Sequence, residues 1–307
     1  MEPEASALVV VLGPTAVGKS RVAVDLALRF GGEVVGGDSI QVYRGFDIGT
    51  DKPSPAERRG VPHHLIDTVD PTVQFTAADF VREALAAAED ISARGRLPIV
   101  AGGTGLYLKA LVDGLFPGPG RDPAVRAALE AEAREKGLDA LFRRLEEVDP
   151  AYAAKIRDRD RVRIVRALEV HAATGRPISE HFLATASPVA GRKVVRIGLR
   201  LERAVLVRRI EDRVDRMFAR GLVGEVRGLL EKGIPEDAPP FRALGYRHVL
   251  AHLRGGLGLD EAVALTKADT RQYAKRQMTW FRKMAEVAWF APDDGPGLEQ
   301  HLRNQLQ

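Results

Sequence analysis

Four residues near the start of the chain have the types and spacing that bind phosphate groups. Gly13, Gly18, Lys19 and Ser20 form the pattern G-x-x-x-x-G-K-S, which follows the apolar run Leu8–Leu12 and leads into a helical pattern. Glycines let backbone N–H groups surround an anion, the lysine adds positive charge, and the serine hydroxyl can bind a magnesium ion. The predicted diphosphate-binding residues are Gly13, Pro14, Thr15, Ala16, Val17, Gly18, Lys19 and Ser20. The pattern indicates a phosphate or diphosphate, but it does not single out ATP.

Asp38 and a second glycine-rich turn follow two further predicted strands. Asp38 comes after the strand-like segment 33–37, and Gly102–Gly105 comes after Leu97–Ala101. Because ligands collect at the carboxyl ends of parallel strands, both segments should lie beside the phosphate loop. Asp38 could act there as a magnesium ligand or as a general base, or it could only cap a turn. No acidic residue directly follows Leu97–Ala101, which counts against an ordinary nucleoside triphosphatase.

Basic residues in the later part of the chain could stabilise a leaving group. Two sets recur at four-residue spacing on predicted helices: Arg209 with Arg213, and Lys267 with Arg271 and Lys275. A departing diphosphate requires positive charge around its oxygens in the transition state. Residues 193–292 contain 20 basic and 12 acidic side chains, as expected if this part of the surface meets nucleic acid. On charge alone, a solvated helical face explains the excess equally well.

The elements that must position these residues alternate between strands and helices. The predicted strands are 8–12, 33–37, 97–101, 193–201 and 287–290, and the predicted helices between them are 19–30, 76–94, 203–220 and 260–283, the last capped by Asp260. This order predicts an α/β fold in which a P-loop-containing parallel sheet is flanked by helices. Residues 40–66 and 241–247 are predicted as loops, and the residues from Asp293 onward as a loose tail or a frayed helix.

Residues 116–192 differ in character from the rest of the chain. Prolines and glycines at 117–120 form a break, and Asp122 followed by Pro123 is a strong helix start. Helical patterns then run to about residue 174, and no strand pattern is visible. We therefore predict a core domain of residues 1–115 and 193–307 with an all-helical insertion domain of residues 116–192.

Composition excludes several classes of protein. The chain has no cysteine, so disulfides, thiolate zinc sites and a cysteine nucleophile are excluded. No stretch approaches the roughly 18 apolar residues of a membrane span, and residues 1–6 carry no basic region of a secretory signal. We expect a cytoplasmic protein that has no membrane partner and is a monomer.

Five motifs occur in order along the chain: the phosphate loop, Asp38–Tyr43 with Asp47–Pro53, Val61–Asp67, Gly102–Tyr107 and Arg271–Arg282. These motifs resemble those of the tRNA dimethylallyltransferases, also called tRNA isopentenyltransferases, of bacterial type. The resemblance covers about residues 8 to 290. It implies transfer of a dimethylallyl group from its diphosphate to the exocyclic amine of the adenosine 3′ of the anticodon, in tRNAs reading codons that begin with U. It also implies Mg²⁺ as cofactor, and the tRNA anticodon stem-loop and dimethylallyl diphosphate as partners.

The resemblance assigns roles to individual residues. Asp38 is implied as the base, Arg213 as support for the leaving diphosphate, Thr104 as a catalytic residue that contacts the substrate RNA, and Ser20 as the residue near magnesium. The helical insertion is implied to clamp the tRNA. The implied tRNA contacts are Asp38, Ser39, Ile40, Gln41, Thr104, Arg126, Val162, Arg163, Ile164, Val165, Arg166, Arg242, Gly245, Tyr246, Arg247, Lys275, Arg276, Gln277, Trp280 and Arg282.

One departure from the family pattern and three alternatives bear on this interpretation. Val162 stands where the family commonly has a glutamine, so the contact at that position is in question.

A phosphotransferase using ATP on the same loop is one alternative, and the absent acid after Leu97–Ala101 disfavours it. A non-catalytic RNA-binding module is disfavoured by the intact Lys19 and Asp38. A transferase that prenylates free adenylate is disfavoured by the helical insertion and the basic C-terminal helices.

Overall fold

A six-stranded parallel sheet forms the centre of the core unit. The computed structural model describes residues 7–307. The strands are β1 (Leu8–Leu12), β2 (Gly32–Gly36), β3 (His63–His64), β4 (Leu97–Gly102), β5 (Val194–Leu199) and β6 (Val287–Phe290). Their order across the sheet is β3-β2-β4-β1-β5-β6, and every neighbouring pair is parallel. The α/β fold class predicted from the alternation of strands and helices is therefore confirmed.

Fourteen α-helices accompany these strands in the described part of the chain. They are α1 (Lys19–Phe30), α2 (Pro55–Arg58), α3 (Ala77–Ala93), α4 (Gly105–Asp113), α5 (Pro123–Glu135), α6 (Leu138–Val148), α7 (Pro150–Ala153), α8 (Arg161–Thr174), α9 (Ile178–Leu183), α10 (Arg203–Ala219), α11 (Leu222–Glu231), α12 (Tyr246–Leu253), α13 (Leu259–Phe281) and α14 (Gly295–Leu306). A 3₁₀ helix spans Pro239–Arg242. None of the helices within residues 7–307 has the length and apolar content needed to cross a membrane.

The central strand β1 is buried along its whole length, because it has a strand on either side and helices over the sheet. All five of its residues are apolar and none is solvent-accessible, as expected for a strand of a parallel sheet. Leu12 pairs with Gly102 of β4 and with Gly198 of β5. The carboxyl ends of these strands therefore finish level with one another, and the loops that follow β1 and β4 begin at the same edge.

The chain divides into two compact units. One comprises the described residues up to Val112 together with Gly191–Gln307, and the other comprises Asp113–Ala190. The second unit contains helices and no strand. Its core is apolar and includes Leu129, Leu141, Leu145, Ile164 and Leu168. Asp122 caps α5 by accepting hydrogen bonds from the amides of Ala124 and Val125, as its position before Pro123 predicted.

Four of the predicted local structures are wrong in detail. Residues 40–66 are not only loop, since they include α2 and the edge strand β3. Residues 241–247 include the end of a 3₁₀ helix and the start of α12. Helix α13 begins at Leu259 with Gly258 at its N-cap, so Asp260 lies in the first turn rather than at the cap. The C-terminal residues form α14, and Leu298 and Leu302 of this helix are buried in the core with β-sheet residues.

Candidate active site

The phosphate loop turns sharply between β1 and α1. Gly13 has φ 154°, and a Cβ there would lie 2.8 Å from the carbonyl oxygen of Leu199. Gly18 has φ 106° at the N-cap of α1, and Ala16 has φ 63°. The backbone between these residues therefore takes conformations that favour glycine at two of its positions. The N-terminus of α1 opens toward the loop, which is a favourable place for an anion.

Lys19 is held within the loop by its own backbone. Its Nζ donates a hydrogen bond of 2.8 Å to the carbonyl oxygen of Pro14. The pKa of the Lys19 amine is lowered to about 7, chiefly by burial and also by the positive charge of Arg213, whereas the Asp38 carboxylate acts in the opposite direction. An anion bound in the loop would stabilise the protonated form of Lys19.

Asp38 lies two residues after β2 and shapes the turn that follows. Its Oδ1 accepts hydrogen bonds from the amides of Ile40, at 2.9 Å, and Gln41, at 3.3 Å. Both bonds fall on the same oxygen, which leaves Oδ2 without a hydrogen-bond partner in the described part of the chain. Asp38 therefore caps a turn with one oxygen and retains a second carboxylate oxygen that can accept a proton.

Thr104 joins the turn after β4 to the turn after β2. Its Oγ1 accepts a hydrogen bond of 3.0 Å from the amide of Ser39 and donates one of 3.3 Å to the Ser39 hydroxyl. These bonds place the glycine-rich turn beside Asp38, as the parallel sheet predicted. Thr104 is thus a neighbour of the candidate base.

Gln277 of α13 bridges the two glycine loops. Its Oε1 accepts a hydrogen bond of 2.8 Å from the amide of Thr15, and its Nε2 donates one of 2.7 Å to the carbonyl oxygen of Gly103. The residue is 5% exposed. The tRNA contact expected of Gln277 does not fit this placement, because both ends of its amide are already bonded within the protein. It is better described as a positioning residue for the phosphate loop.

Arg213 of α10 reaches the phosphate loop from the other side. It donates hydrogen bonds to the Thr15 hydroxyl, at 2.8 Å, and to the Thr50 carbonyl oxygen, at 3.1 Å. Its Nε lies 3.2 Å from Oδ2 of Asp51. Three partners therefore fix the guanidinium beside the loop, where its charge lowers the pKa of Lys19.

The segment Asp47–Lys52 is fixed by groups that sequence reasoning missed. Glu225 of α11 accepts hydrogen bonds from the backbone amides of Asp47, Ile48 and Gly49 and from the hydroxyl of Tyr246. Lys52 is buried, and its Nζ donates to the Tyr43 carbonyl oxygen at 2.6 Å and to Asp67 at 2.5 Å. The position of Lys52 within the motif Asp47–Pro53 was the available signal, whereas nothing in the sequence singled out Glu225.

Two adjoining cavities, each of about 390 Å³, meet in this region. The first, the anion cleft, is lined by the phosphate loop, by Asp51 and by the arginines Arg209, Arg213 and Arg216. The second, the side cavity, is more apolar and includes Ile40, Val214, Met217, Pro239 and Leu244. Four residues line both: Thr15, Asp38, Arg213 and Tyr273. The carboxylate of Asp38 thus lies between the basic anion cleft and the more apolar side cavity.

Tyr273 is a further site residue that the sequence predictions did not include. The pKa of its phenol is raised to about 12, chiefly by burial and also by the negative charge of Asp38. The Arg276 guanidinium lies 5.9 Å from the centre of its ring. The phenol therefore remains a neutral hydrogen-bond donor beside the carboxylate.

Several predicted tRNA contacts lie in the interior rather than at the surface. Ile164 and Val165 are fully buried in the core of the helical unit. Tyr246 is fully buried, and its hydroxyl is bonded to Glu225. Gly245 is buried beside it. Side chains at these positions pack the interior of the protein, and the tRNA contact expected at each of them stays a prediction.

Arg126 and Arg166 converge on a buried carboxylate within the helical unit. Glu169 has no solvent exposure and accepts from Arg126 at 3.1 Å, from Arg166 at 2.9 Å and from the Asp122 amide at 2.9 Å. Hydrogen bonds from these arginines hold the pKa of the Glu169 carboxyl below its usual value, although burial opposes them. Both arginines therefore have a structural partner.

The remaining predicted contacts are accessible. Ser39, Ile40 and Gln41 are half-buried around Asp38, and Val162 is 72% exposed. The half-buried ring of Trp280 packs on Gly105, where a Cβ would lie 2.6 Å from it. The exposed basic side chains are Arg163, Arg242, Arg247, Lys275, Arg276 and Arg282.

The residues of the anion cleft can supply oxygen ligands to a magnesium ion. No group of three or more His, Cys, Asp or Glu side chains within residues 7–307 forms a metal site by itself. Ser20, Asp38 and Asp51 nevertheless line the same cleft. Mg²⁺ is typically held by one or two carboxylates together with phosphate oxygens and water. The donor set fits a magnesium ion that arrives with a diphosphate.

Fold and site together define an α/β protein with a phosphate loop beside a carboxylate. Comparison with known proteins is specific. Residues 41–284 match the IPP transferase family, and the chain belongs to that family.

Relatives agree over nearly the whole length. The chain is 54% identical over 288 residues to a tRNA dimethylallyltransferase of Geobacter metallireducens, covering 94% of this chain and 93% of the relative. It is 51% identical over 302 residues to that of Thermomicrobium roseum, covering 98% and 90%. The structure of the full-length tRNA isopentenylpyrophosphate transferase from Bacillus halodurans has a TM-score of 0.73 at 41% identity, covering 98% and 97%. A eukaryotic dimethylallyltransferase acting on tRNA has a TM-score of 0.81 at 30% identity, covering 98% and 77%.

Proposed function

We propose that this chain is a tRNA dimethylallyltransferase. It transfers the dimethylallyl group of dimethylallyl diphosphate to the exocyclic amine of the adenosine 3′ of the anticodon, in tRNAs that read codons beginning with U. The observation that carries the proposal is the position of Asp38, whose carboxylate lines both the anion cleft and the side cavity. The matched family and relatives support the same reaction.

The anion cleft holds the diphosphate. Backbone amides of the phosphate loop and the N-terminus of α1 face its oxygens, and Lys19 and Arg213 supply positive charge. The bond between the allylic carbon and the diphosphate oxygen breaks with cationic character on carbon, and its electron pair leaves with the diphosphate. Donors that face the departing oxygens stabilise this transition state, which is usually a large term in catalysis.

Asp38 acts as the general base. The exocyclic amine of adenine is a weak nucleophile because its lone pair is delocalised into the ring. As the nitrogen forms its bond to the allylic carbon, one of its protons passes to Oδ2 of Asp38. Oδ1 is bonded to the amides of Ile40 and Gln41, which fix the carboxylate in place. Thr104, bonded to Ser39, supports the same turn.

A magnesium ion completes the diphosphate site. Ser20, with Asp51 in the same cleft, would hold it together with the diphosphate oxygens. When bound, it would neutralise charge that develops on the leaving diphosphate.

The target base must leave the stack to enter the side cavity. Extrusion of a base costs a few kcal/mol and is least costly where the base is unpaired, as in an anticodon loop. We propose that the helical unit clamps the anticodon stem through phosphate contacts, which fix position rather than sequence. The exposed Arg163 and Val162 are candidates for this surface. The enzyme would act as a cytoplasmic monomer.

Two other activities would use the same loop. Transfer of phosphate from ATP would not require the side cavity next to Asp38. Prenylation of free adenylate would not require a surface that binds RNA. The accessible basic residues on α12 and α13 favour RNA as the acceptor.

A product assay separates these possibilities. The protein is incubated with dimethylallyl diphosphate, Mg²⁺ and unmodified tRNA, and the digested nucleosides are analysed by mass spectrometry. We expect prenylated adenosine from tRNA, none from AMP, and no hydrolysis of ATP. Prenylated AMP without prenylated tRNA, or ATP turnover alone, would contradict the proposal.

A further inference from the structure

A groove of about 600 Å³ lies between the start of α10 and α13, outside the anion cleft and the side cavity. Five basic residues line it: Arg200 after β5, Arg203 at the start of α10, Arg271 and Lys275 of α13, and Arg282 directly after α13. We call it the Arg200 groove. Tyr273 and Gln277 of α13 line the anion cleft instead. The helix therefore presents one set of residues to the candidate active site and another to this groove.

Four of these basic side chains, those of Arg200, Arg203, Lys275 and Arg282, have no ion-pair partner within residues 7–307. The fifth, Arg271, does have a partner, since it lies 2.6 Å from Glu211, and Lys267 on the same helix lies 2.7 Å from Asp215. Arg200, Arg203, Lys275 and Arg282 are all exposed. Unpaired cations that surround one groove leave a local excess of positive charge, which attracts an anion.

The floor of the groove is apolar. It includes Leu206 of α10, Met278 of α13 and Trp289 of β6, each of them partly exposed. An indole ring and a thioether offer contact to the flat face of a nucleobase. A single nucleic-acid strand fits such a groove, because its phosphates can contact the cations on the rim while its bases contact the apolar floor.

The spacing of the cations argues for a polymeric anion. Lys275 and Arg282 are seven residues apart, which is about 10 Å along a helix. A single diphosphate cannot contact both, whereas successive phosphates of one strand can. A paired stem would keep its bases stacked inside the helix and leave the apolar floor uncovered.

We propose that the Arg200 groove binds an unpaired stretch of the tRNA substrate, with phosphates on its rim and a base on its floor. The inference rests on the proposed function, and it adds Arg200, Arg203 and Trp289 as RNA contacts. It also separates Lys275 and Arg282 from the side-cavity arginines, because these two residues line the groove and the side-cavity arginines do not.

The test uses the full chain with Arg200 and Arg203 both changed to alanine. A matched control carries Arg208→Ala and Arg227→Ala, which remove the same charge from exposed positions that line neither cavity nor groove. Binding of an anticodon stem-loop RNA is measured over a series of salt concentrations, and thermal unfolding confirms that both variants are folded.

We expect the double variant to lose about 1.4 from the slope of log affinity against log salt, because each single-strand phosphate contact contributes about 0.7. At 0.1 M salt this is a loss of about 25-fold in affinity. The RNA affinity of the control variant should stay within about twofold of that of the unchanged protein. The KM for dimethylallyl diphosphate should not change in either variant.

Failure of this inference is distinguishable from failure of the proposed function. If the unchanged protein prenylates tRNA but the double variant binds RNA with the slope and affinity of the control, the groove assignment is overturned alone. A rise in the KM for dimethylallyl diphosphate in the double variant, with RNA affinity unchanged, would also overturn it and indicate a site for the prenyl substrate. Absence of prenylated tRNA from the unchanged protein would overturn the proposed function.

Discussion

At the scale of single residues, Asp38 divides its two oxygens between two tasks. Oδ1 closes the turn after β2, and Oδ2 carries no bond within the described residues. Asp38→Asn keeps an oxygen that can accept the two backbone bonds but removes the base. We expect the rate of prenyl transfer in a single turnover to fall by about 10²- to 10⁴-fold, while tRNA affinity stays within about threefold. Loss of tRNA affinity with an unchanged rate would instead make Asp38 a recognition residue.

Gln277 gives a second prediction at this scale. Gln277→Ala removes the bonds to the Thr15 amide and the Gly103 carbonyl oxygen. Each buried bond lost costs about 1 to 3 kcal/mol. Because the phosphate loop loses its support, we expect the KM for dimethylallyl diphosphate to rise about tenfold, and the Kd for tRNA to change less than threefold. Thr279→Ala, at an exposed position of the same helix, is the control. A selective loss of tRNA affinity would restore Gln277 as an RNA contact.

The candidate site residues that can be predicted from the sequence are those whose chemistry is visible in their own spacing. Gly13, Gly18 and Lys19 belong to a local pattern, and Asp38 follows a recognisable strand. The positions of Gln277 and Tyr246 could not be predicted in this way. A polar residue in a helix can face either solvent or a buried loop, and the helical period alone does not show which. Only the packing of α12 and α13 shows that both residues point inward.

At the scale of elements, β2 is tied to α3 through a buried carboxylate. Glu33 is 1% exposed and bonds to Arg94 and His64. The hydrogen bond from Arg94 is the main reason that the pKa of Glu33 is lowered to about 2. The folded protein therefore binds a proton at Glu33 less readily than the unfolded chain does.

This linkage predicts an acid-dependent loss of stability. A lowered pKa contributes stability above the unfolded value of 4.5, and the contribution disappears as the pH falls toward 2. It amounts to about 3 kcal/mol at pH 7. In urea unfolding, the difference between the unchanged protein and Glu33→Gln should shrink by about this amount between pH 7 and pH 2.5. A difference that does not depend on pH would show that the pKa of Glu33 is not lowered.

Elements with a strong period were predicted well, and short or isolated ones were not. Helix α1 has the predicted bounds, since Val22 and Leu26 mark one apolar face and Gly31 ends it in a left-handed conformation. The two-residue strand β3 has too few residues for alternation to show, and its pairing with β2 is a tertiary effect. Helix α14 has only Leu298 and Leu302 as buried residues, so its pattern is weak although the helix packs against the core.

At the scale of the whole molecule, the chain divides into a unit that holds the candidate active site and a helical unit of 78 residues, Asp113–Ala190. A Cβ on Gly114 would lie 2.0 Å from the carbonyl oxygen of Ala186, so the chain enters and leaves this unit at neighbouring points. The two glycine loops and both cavities belong to the other unit. The proposed division of labour is prenyl chemistry in the core unit and tRNA binding by both.

Replacing residues 116–188 by a short Gly-Ser linker tests this division. We expect the shortened protein to bind dimethylallyl diphosphate with a Kd within about twofold of the unchanged protein. Its Kd for tRNA should rise by about tenfold or more, because several phosphate contacts are lost. Calorimetry with each substrate measures both. Equal tRNA affinity in the two proteins would show that the helical unit does not contribute to tRNA binding.

The central claim is that the carboxylate of Asp38 takes a proton from the amine of a base held in the side cavity while the phosphate loop holds the diphosphate. The most direct measurement is a crystal structure with an anticodon stem-loop and an unreactive thio-analogue of dimethylallyl diphosphate. We predict that Oδ2 of Asp38 lies about 2.6 to 3.2 Å from the adenine amine nitrogen, with the analogue's phosphates in the loop. A separation too large for any hydrogen bond, direct or through one water, or an adenine outside the side cavity, would contradict the account.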